Sequence, residues 1–532
     1  MIRIKNFNVV FNDQSPMELL VAKRLKLPPQ QIAEVVIVRK GIDARRYKGA
    51  PIYFVYILNV TLNVPEHKVL QKLKKDKNIE LIEKVKDTEL VCKKSKIKRP
   101  VIIGFGPAGM FAALTLAKKG YNPLIFERGS DVDTRHQDID DFWNGKPLKE
   151  NSNVQFGEGG AGTFSDGKLT TRINDSKIID VLDDFISAGA PPEIRYLHKP
   201  HIGTDILRTV VKNIREKIKS LGGEIYFNSQ VTDVVIKDNA ICGVEINHTE
   251  VFDCDDIFLG IGHSARDTYE LLYKKGISME AKPFAVGVRI EHPQDLIDQA
   301  QYGDDYTSEL LPVADYSVTY NNKLKGRSAY SFCMCPGGQV VAAASEVGRL
   351  VVNGMSNYKR DSGIANSALL VNVTPNDYGN GVLDGMHFQR KYEELAYVCG
   401  GKNYHAPVQT VGDFLKNTVK DDKFLVEPTY LPGVKLANLR DCLPNFVTEI
   451  LSEALPHFDK KIPGFANEHA VMTGVEMRSS APCRIIRDRQ TYMSINTKGL
   501  YPIGEGAGYA GGIMSAAVDG VNAAYAYIQD II

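Results

Sequence analysis

The sequence predicts an α/β protein whose centre is an open parallel sheet, with one α+β unit ahead of it and another inserted before its last strand. Three observations carry this. Residues 101–127 read as strand, glycine-rich turn, helix and strand. A second strand and glycine turn recur near the end of the chain, at 499–512. The first ninety or so residues alternate in the order βαββαβ.

Composition bounds the answer before any motif is read. At 532 residues the chain is long enough for several domains, and 43% hydrophobic with 24% charged content is ordinary for a globular protein. A formal net charge of +1 gives no global pull toward nucleic acid or an acidic substrate. No apolar run approaches the roughly 18 residues of a membrane span, and MIRIKNFNVVFNDQ alternates where a secretory signal is continuously apolar. A cytoplasmic protein without a membrane partner is expected. The eight cysteines are scattered without a Cys-x-x-Cys, so neither a disulfide scaffold nor a zinc ribbon is indicated, and no metal site is expected.

Residues 1–95 form a first domain. Strands are predicted over 2–11, 34–40, 52–62 and 79–85, with helices over 17–25 and 66–75, which is the order of a ferredoxin-like α+β sandwich. Through Arg99 this region holds 22 Lys/Arg against 10 Asp/Glu. Such polarity suits docking onto an acidic body better than RNA, because no aromatic-studded RNA-binding signature interleaves with the charges. Residues 93–99, KKSKIKR, read as a linker.

Residues 96–282 open the central domain. After Val101-Ile102-Ile103 comes Gly104-x-Gly106-x-x-Gly109, then a helix beginning at Pro107 and Ala108, then a strand ending in Glu127 and Arg128. Gly104 permits the sharp turn, Gly106 lets the backbone approach a pyrophosphate, and Gly109 lets the helix pack on its strand. The helix start favours an anion, and Glu127 is placed to accept ribose hydroxyls while repelling a 2′-phosphate. Next, Gly157, Gly159, Gly160, Gly162 and Gly167 crowd into eleven residues with Thr163, Ser165 and Lys168, a loop suited to lie against a flat cofactor or its phosphates. Helices follow at 176–189 and 206–221, separated by a loop carrying His198, His201 and Asp205. A strand, a three-stranded meander beginning near Val231, and a return strand ending in Gly260-x-Gly262 complete this part.

Residues 283–487 have a different texture and are expected to form an inserted α+β substrate domain, with helices near 387–398 and 446–455 and a strand near 339–345. Residues 488–532 return to the central domain: a buried strand, the turn Gly504-Glu505-Gly506, and a small-residue helix from Gly511, Gly512 and Ile513. A carboxylate at such a turn can accept bonds from ribityl or ribose hydroxyls. A helix start aimed at a ring stabilises negative charge that develops there.

With these residues read, the chain resembles the glutathione-reductase-type FAD superfamily. More narrowly, GFGPAGMFAALTLAKKG, SNVQFGEGGAGTFSDGKLTTR, KPHIGTD, YSFCMCPGG, TGVEMRSSAPCRIIRD and YPIGEGAGYAGGIMSAAVDG are similar to the uncharacterised FAD-dependent dehydrogenases, also called NAD(FAD)-utilising dehydrogenases. The resemblance implies an FAD-binding Rossmann domain with a β-meander, in which the first turn holds the ADP part of FAD and Ile503-Gly504-Glu505-Gly506 meets the ribityl chain and flavin. Cofactor contacts are expected from Gly104, Gly106, Pro107, Ala108, Gly109, Glu127, Arg128, Gly159, Gly160, Gly162, Thr163, Ser165, Lys168, Val231, Gly260, Gly262, Gly504, Glu505, Gly511, Gly512 and Ile513. Gly260-x-Gly262 lacks the third glycine and the acid of a second fingerprint, so substrate or transient NAD(P)H is expected to come directly to the flavin. Candidates on the substrate side are His201, Cys333, Cys335, Arg478 and Arg484. The arginines can clamp a carboxylate, and the cysteines can act as a redox pair or nucleophile. The expected activity is FAD-dependent oxidoreduction of a small organic substrate. A monooxygenase and an RNA-binding flavoprotein are the alternatives, and the oligomeric state stays open.

Overall fold

Alternation of Ile2, Ile4, Phe7 and Val9 gives the first strand one buried face, and that face organises the amino-terminal unit. In this computed structural model the structure describes residues 1–45, 49–82, 98–420 and 422–530. The chain divides into two units: Met1–Val91 with Pro191–Pro200 and Gln301–Pro312, and the remainder.

The first unit has strands β1 (Ile2–Val10), β2 (Ile32–Asp43), β3 (Tyr53–Leu62) and β4 (Ile79–Leu81), with helices Met17–Leu25 and Glu66–Lys72. Its sheet is antiparallel throughout, in the order β2-β3-β1-β4. Val21, Leu25, Leu58, Val60 and Val69 fill its core. The last strand is described over Ile79–Leu81; residues 83–85 of its expected range and most of the expected linker lie outside the described residues. The loop around His198 belongs to this unit. His198 donates its backbone N–H to Lys40 O at 2.8 Å, and Arg39 Nη2 lies 2.5 Å from its Nδ1.

The second unit begins with β5 (Val101–Ile103), helix Pro107–Lys118 and β6 (Leu124–Phe126). Helices Val132–Trp143, Lys177–Ser187 and Thr204–Ser220 precede β7 (Glu224–Tyr226). The antiparallel meander is β8 (Val231–Lys237), β9 (Ala240–Ile246) and β10 (Glu250–Asp253), and β11 (Ile257–Leu259) returns to the main sheet. A pair formed by β12 (Met279–Ala281) and β22 (Cys483–Ile485) stands at the two ends of the inserted stretch. The insertion holds β13 (Phe284–Pro293), β14 (Thr319–Asn322), β15 (Arg327–Cys335), β16 (Gly338–Ala342), β17 (Val352–Ser356), β18 (Ile364–Val373), β19 (Ala406–Thr410), β20 (Val434–Leu436) and β21 (Val471–Glu476). Seven of these form one sheet, β14-β15-β18-β13-β21-β19-β20, while β16 and β17 form a hairpin.

The last strand, β23 (Leu500–Pro502), closes a five-stranded parallel sheet in the order β23-β11-β5-β6-β7. Val101, Ile102 and Ile103 are all buried, as a parallel strand covered on both faces requires. The covering helices are rich in small residues and approach closely. A Cβ added at Gly520, in helix Ile513–Asp530, would meet Ala108 O at 2.1 Å.

Candidate functional site

Four turns leave the carboxyl ends of β5, β6, β11 and β23 side by side, and a cavity of about 350 Å³ opens there. That is the position and size at which open α/β sheets take ligands. Its wall includes Gly104, Gly106, Pro107, Ala108, Glu127, Arg128, Gly160, Gly162, Ser165, Lys168, Val231, Gly260, Gly262, Glu505, Gly511, Gly512 and Ile513.

The glycines divide by what a side chain would strike. Gly104 has φ 89°, and a Cβ there would sit 2.4 Å from Gly260 O, so two neighbouring strand ends can approach only at a glycine. Gly262, Gly511 and Gly512 meet nothing within 4 Å of an added Cβ, so bare backbone faces the open cavity. Gly109, Gly159, Thr163 and Gly504 do not line it. Gly109 and Gly504 instead allow close packing against Gly104 and Ala108, and Gly159 packs against Thr163.

Two buried groups shape the first half of the wall. Glu127 accepts the backbone N–H of Phe105 at 2.7 Å on Oε2, and those of Gly129 and Gly157 at 3.0 Å on Oε1. Its carboxylate therefore fastens three loops together at the cavity wall. Arg135, fully buried, donates to the carbonyls of Asn153, Val154, Gly157, Glu158 and Gly160 over 2.7–3.3 Å. This guanidinium supports the glycine-rich loop from behind. Arg135 lies in a helix with no motif around it, so only its place beside that loop in the fold marks it.

The other end of the cavity is lined by Asp166, Lys168, His263, Cys333, Asn353, Glu476, Arg478 and Glu505. Burial pushes the Glu505 carboxyl up to about 7, against the pull of Lys282. Burial, then the charges of Arg478 and Arg266, pushes His263 down to about 3, so its imidazole is neutral. Glu476 is gripped by Arg289, Nε to Oε2 at 2.7 Å and Nη2 to Oε1 at 3.1 Å. His263, Arg289 and Glu476 were missed from sequence, because each sits in a run that reads as strand or turn.

The substrate-side candidates separate. Cys333 lines the cavity and Cys335 lies buried behind it. Arg478 reaches the wall, but its guanidinium is held by Glu393 at 3.0 and 2.8 Å and by Ser345 at 2.5 Å. Glu393 also takes Arg266 at 2.5 and 2.7 Å; burial alone would raise its carboxyl, and the two arginines hold it down at about 2. Arg478 is thus committed to a buried ion network and is not free to clamp a substrate carboxylate. Arg484 is more exposed, pairs with Glu280 at 2.8 Å and lies outside the cavity lining. His201 also stands outside the lining. It stacks on Tyr358 with ring centroids 5.4 Å apart, beside the Asp166–Arg360 ion pair. Burial, then the Arg360 charge, pushes His201 down to about 4. Among the described residues no group of three or more His, Cys, Asp or Glu is placed to hold a metal ion, and no helix is long and apolar enough to cross a membrane.

Residues 283–479 match the family model described as "FAD-dependent protein, C-terminal domain-like", and residues 1–61 match a domain of unknown function. An uncharacterized protein of Clostridium beijerinckii is 50% identical over 99% of this chain and 98% of its own length. A thiamine thiazole synthase of Thermotoga maritima is 23% identical over 40% of this chain and 72% of its own. A digeranylgeranylglycerophospholipid reductase of Haloferax volcanii is 27% identical over 31% and 35%.

Proposed function

The chain belongs to one family with the Clostridium beijerinckii protein, a family of FAD-dependent proteins, and from that premise we propose that it is an FAD-dependent oxidoreductase. Its reaction is transfer of hydride or electrons between the flavin and a small organic substrate. The observation that carries the reading is that two glycine turns, at 104–109 and 504–512, line one cavity at the carboxyl ends of adjacent parallel strands.

The wall fits an extended dinucleotide. Gly262, Gly511 and Gly512 present backbone to empty space that a Cβ would fill, and the helix opened by Pro107 turns its free amide groups toward the glycine turn. Arg128 and Glu127 stand at one end and Glu505 at the other. FAD held there would supply two-electron redox chemistry. The chain supplies the rest. Glu505, poised near 7, can hold or release a proton close to neutral pH. The neutral His263 can donate or accept a hydrogen bond without adding charge, and Arg289 keeps Glu476 fixed at the wall. The strand order β2-β3-β1-β4 supports a ferredoxin-like amino-terminal domain, and the seven-stranded sheet of the insertion supports its role as the substrate domain.

The test is anaerobic mixing of the yellow holoprotein with a panel of small metabolites and with NADH and NADPH. Bleaching by one member identifies the donor. Substrate-coupled oxygen uptake would move the protein to the monooxygenases, and a flavin that no reductant reaches would refute the enzymatic reading.

A further inference from the structure

Strand β15 carries an irregularity just where it meets the cavity. Phe332 pairs with Ala368 and Cys335 with Asn366, so three steps on one strand oppose two on the other, and the strand bulges at Cys333-Met334. Cys333 takes a left-handed φ of 43°, a conformation that costs a non-glycine residue free energy and that the surrounding structure must enforce. Its carbonyl is fixed by Arg289 Nη1 at 2.9 Å and by the Cys335 thiol at 3.3 Å. The strained residue is thereby turned into the cavity wall, in company with Asn353, Glu476 and Glu505.

The Cys335 thiol reaches back to the backbone of Cys333, 3.3 Å from its carbonyl oxygen, and lies 4.0 Å from Arg289 Nη1, so the two cysteines are neighbours at the bulge. Residues i and i+2 of a regular strand lie about 6.6 Å apart, inside the Cα range a disulfide spans, and the bulge bends the strand at this point. The Cys335 thiol, together with the charges of Arg289 and Lys168, holds the Cys333 thiol well below its usual range in spite of burial. Thiolate character of this kind marks a reactive sulfur. Cys333 shares the cavity wall with the carboxylates Glu476 and Glu505 and the cation Lys168, and Arg289 reaches both cysteines, so groups for proton exchange are at hand.

We propose that Cys333 and Cys335 form a dithiol–disulfide couple that exchanges two electrons with the cofactor bound in this cavity. The inference rests on the FAD reading above. In the oxidising direction the Cys335 S–H bond breaks and one S–S bond forms to the Cys333 thiolate. The pair releases one proton and two electrons, the electrons reduce the bound FAD, and the proton leaves through the neighbouring carboxylates to the reduced cofactor or solvent. In the other direction reduced FAD returns two electrons, Cys335 takes up a proton, and the disulfide opens to a thiolate and a thiol. The protein then stores two electron pairs at one site, which suits a donor and an acceptor that arrive at different times.

The experiment is a reductive titration of the air-oxidised holoprotein with dithionite, combined with alkylation and peptide mapping before and after reduction. Wild type is expected to take up about four electrons per flavin, falling to about two in C333S and in C335S. The peptide carrying both cysteines should resist alkylation when oxidised and accept it when reduced. Uptake of about two electrons by wild type, with both cysteines alkylated in the oxidised holoprotein, overturns the couple while leaving the FAD reading intact. A protein that holds no FAD overturns both.

Discussion

Gly504 faces Ala108 so closely that a Cβ added to it would lie 2.5 Å from the Ala108 Cβ. The residues are about four hundred positions apart in sequence. Parallel pairing of β23 with β11, and of β11 with β5, brings them together and aims both turns at one cavity.

Backbone conformation and crowding at the cavity can be separated by two alanine variants. At Gly160 (φ 65°) an added Cβ would lie 2.9 Å from Gly106 Cα, whereas at Gly145 (φ 86°) it would meet nothing. Gly145→Ala should cost about 1 kcal/mol in thermal or denaturant unfolding, the expense of a left-handed alanine. Gly160→Ala should cost more, and should also weaken FAD binding at least tenfold by equilibrium titration.

Arg135 serves five carbonyls with one guanidinium. Arg135→Met leaves those acceptors buried without a donor, so a stability loss on the order of 3–5 kcal/mol is expected, with amide exchange quickened over residues 153–160. Exchange as slow as in wild type would show that the loop stands without its support.

The two arginines expected at the substrate should behave oppositely. Arg484→Ala removes a partly exposed ion pair and should change stability by about 0–1 kcal/mol with FAD content unaltered. Arg478→Met leaves Glu393 with Arg266 alone in a fully buried network, and a loss of about 3–5 kcal/mol is expected. Equal effects in the two variants would refute the placement of Arg478 in the network.

Burial raises the Glu291 carboxyl to about 7, above its value in an unfolded chain. The folded protein therefore keeps a proton that the unfolded chain releases. The stability this confers is complete below the ordinary carboxylate range and is lost as pH rises through about 7. Glu291→Gln removes the dependence. Relative to wild type, the variant should gain up to ~3 kcal/mol between pH 4 and pH 8 in unfolding measurements. Parallel pH profiles would contradict it.

The elements that follow local rules were legible in the sequence. Helix Met17–Leu25 falls where expected, the meander and its return strand follow their turn residues, and the two fingerprint turns read directly from glycine spacing. What escaped was set by tertiary contact. No local pattern marks Arg135 as the support of a loop behind it, or commits Arg478 to Glu393 instead of a ligand. The loop around His198 and His201 reads as one segment, yet its backbone pairs His198 with Lys40 and leaves His201 beside Asp166. Conversely, Cys-x-Cys carries little meaning in sequence, and gains it only from the bulge that turns Cys333 into the cavity.

The most direct measurement is the cofactor content of the purified chain, read by absorbance and by chromatography of what heat releases. One FAD per chain, reduced to a trace by Gly104→Val and retained by Arg484→Ala, is the predicted result. A colourless wild-type protein that takes up no FAD on reconstitution would contradict the account at its base.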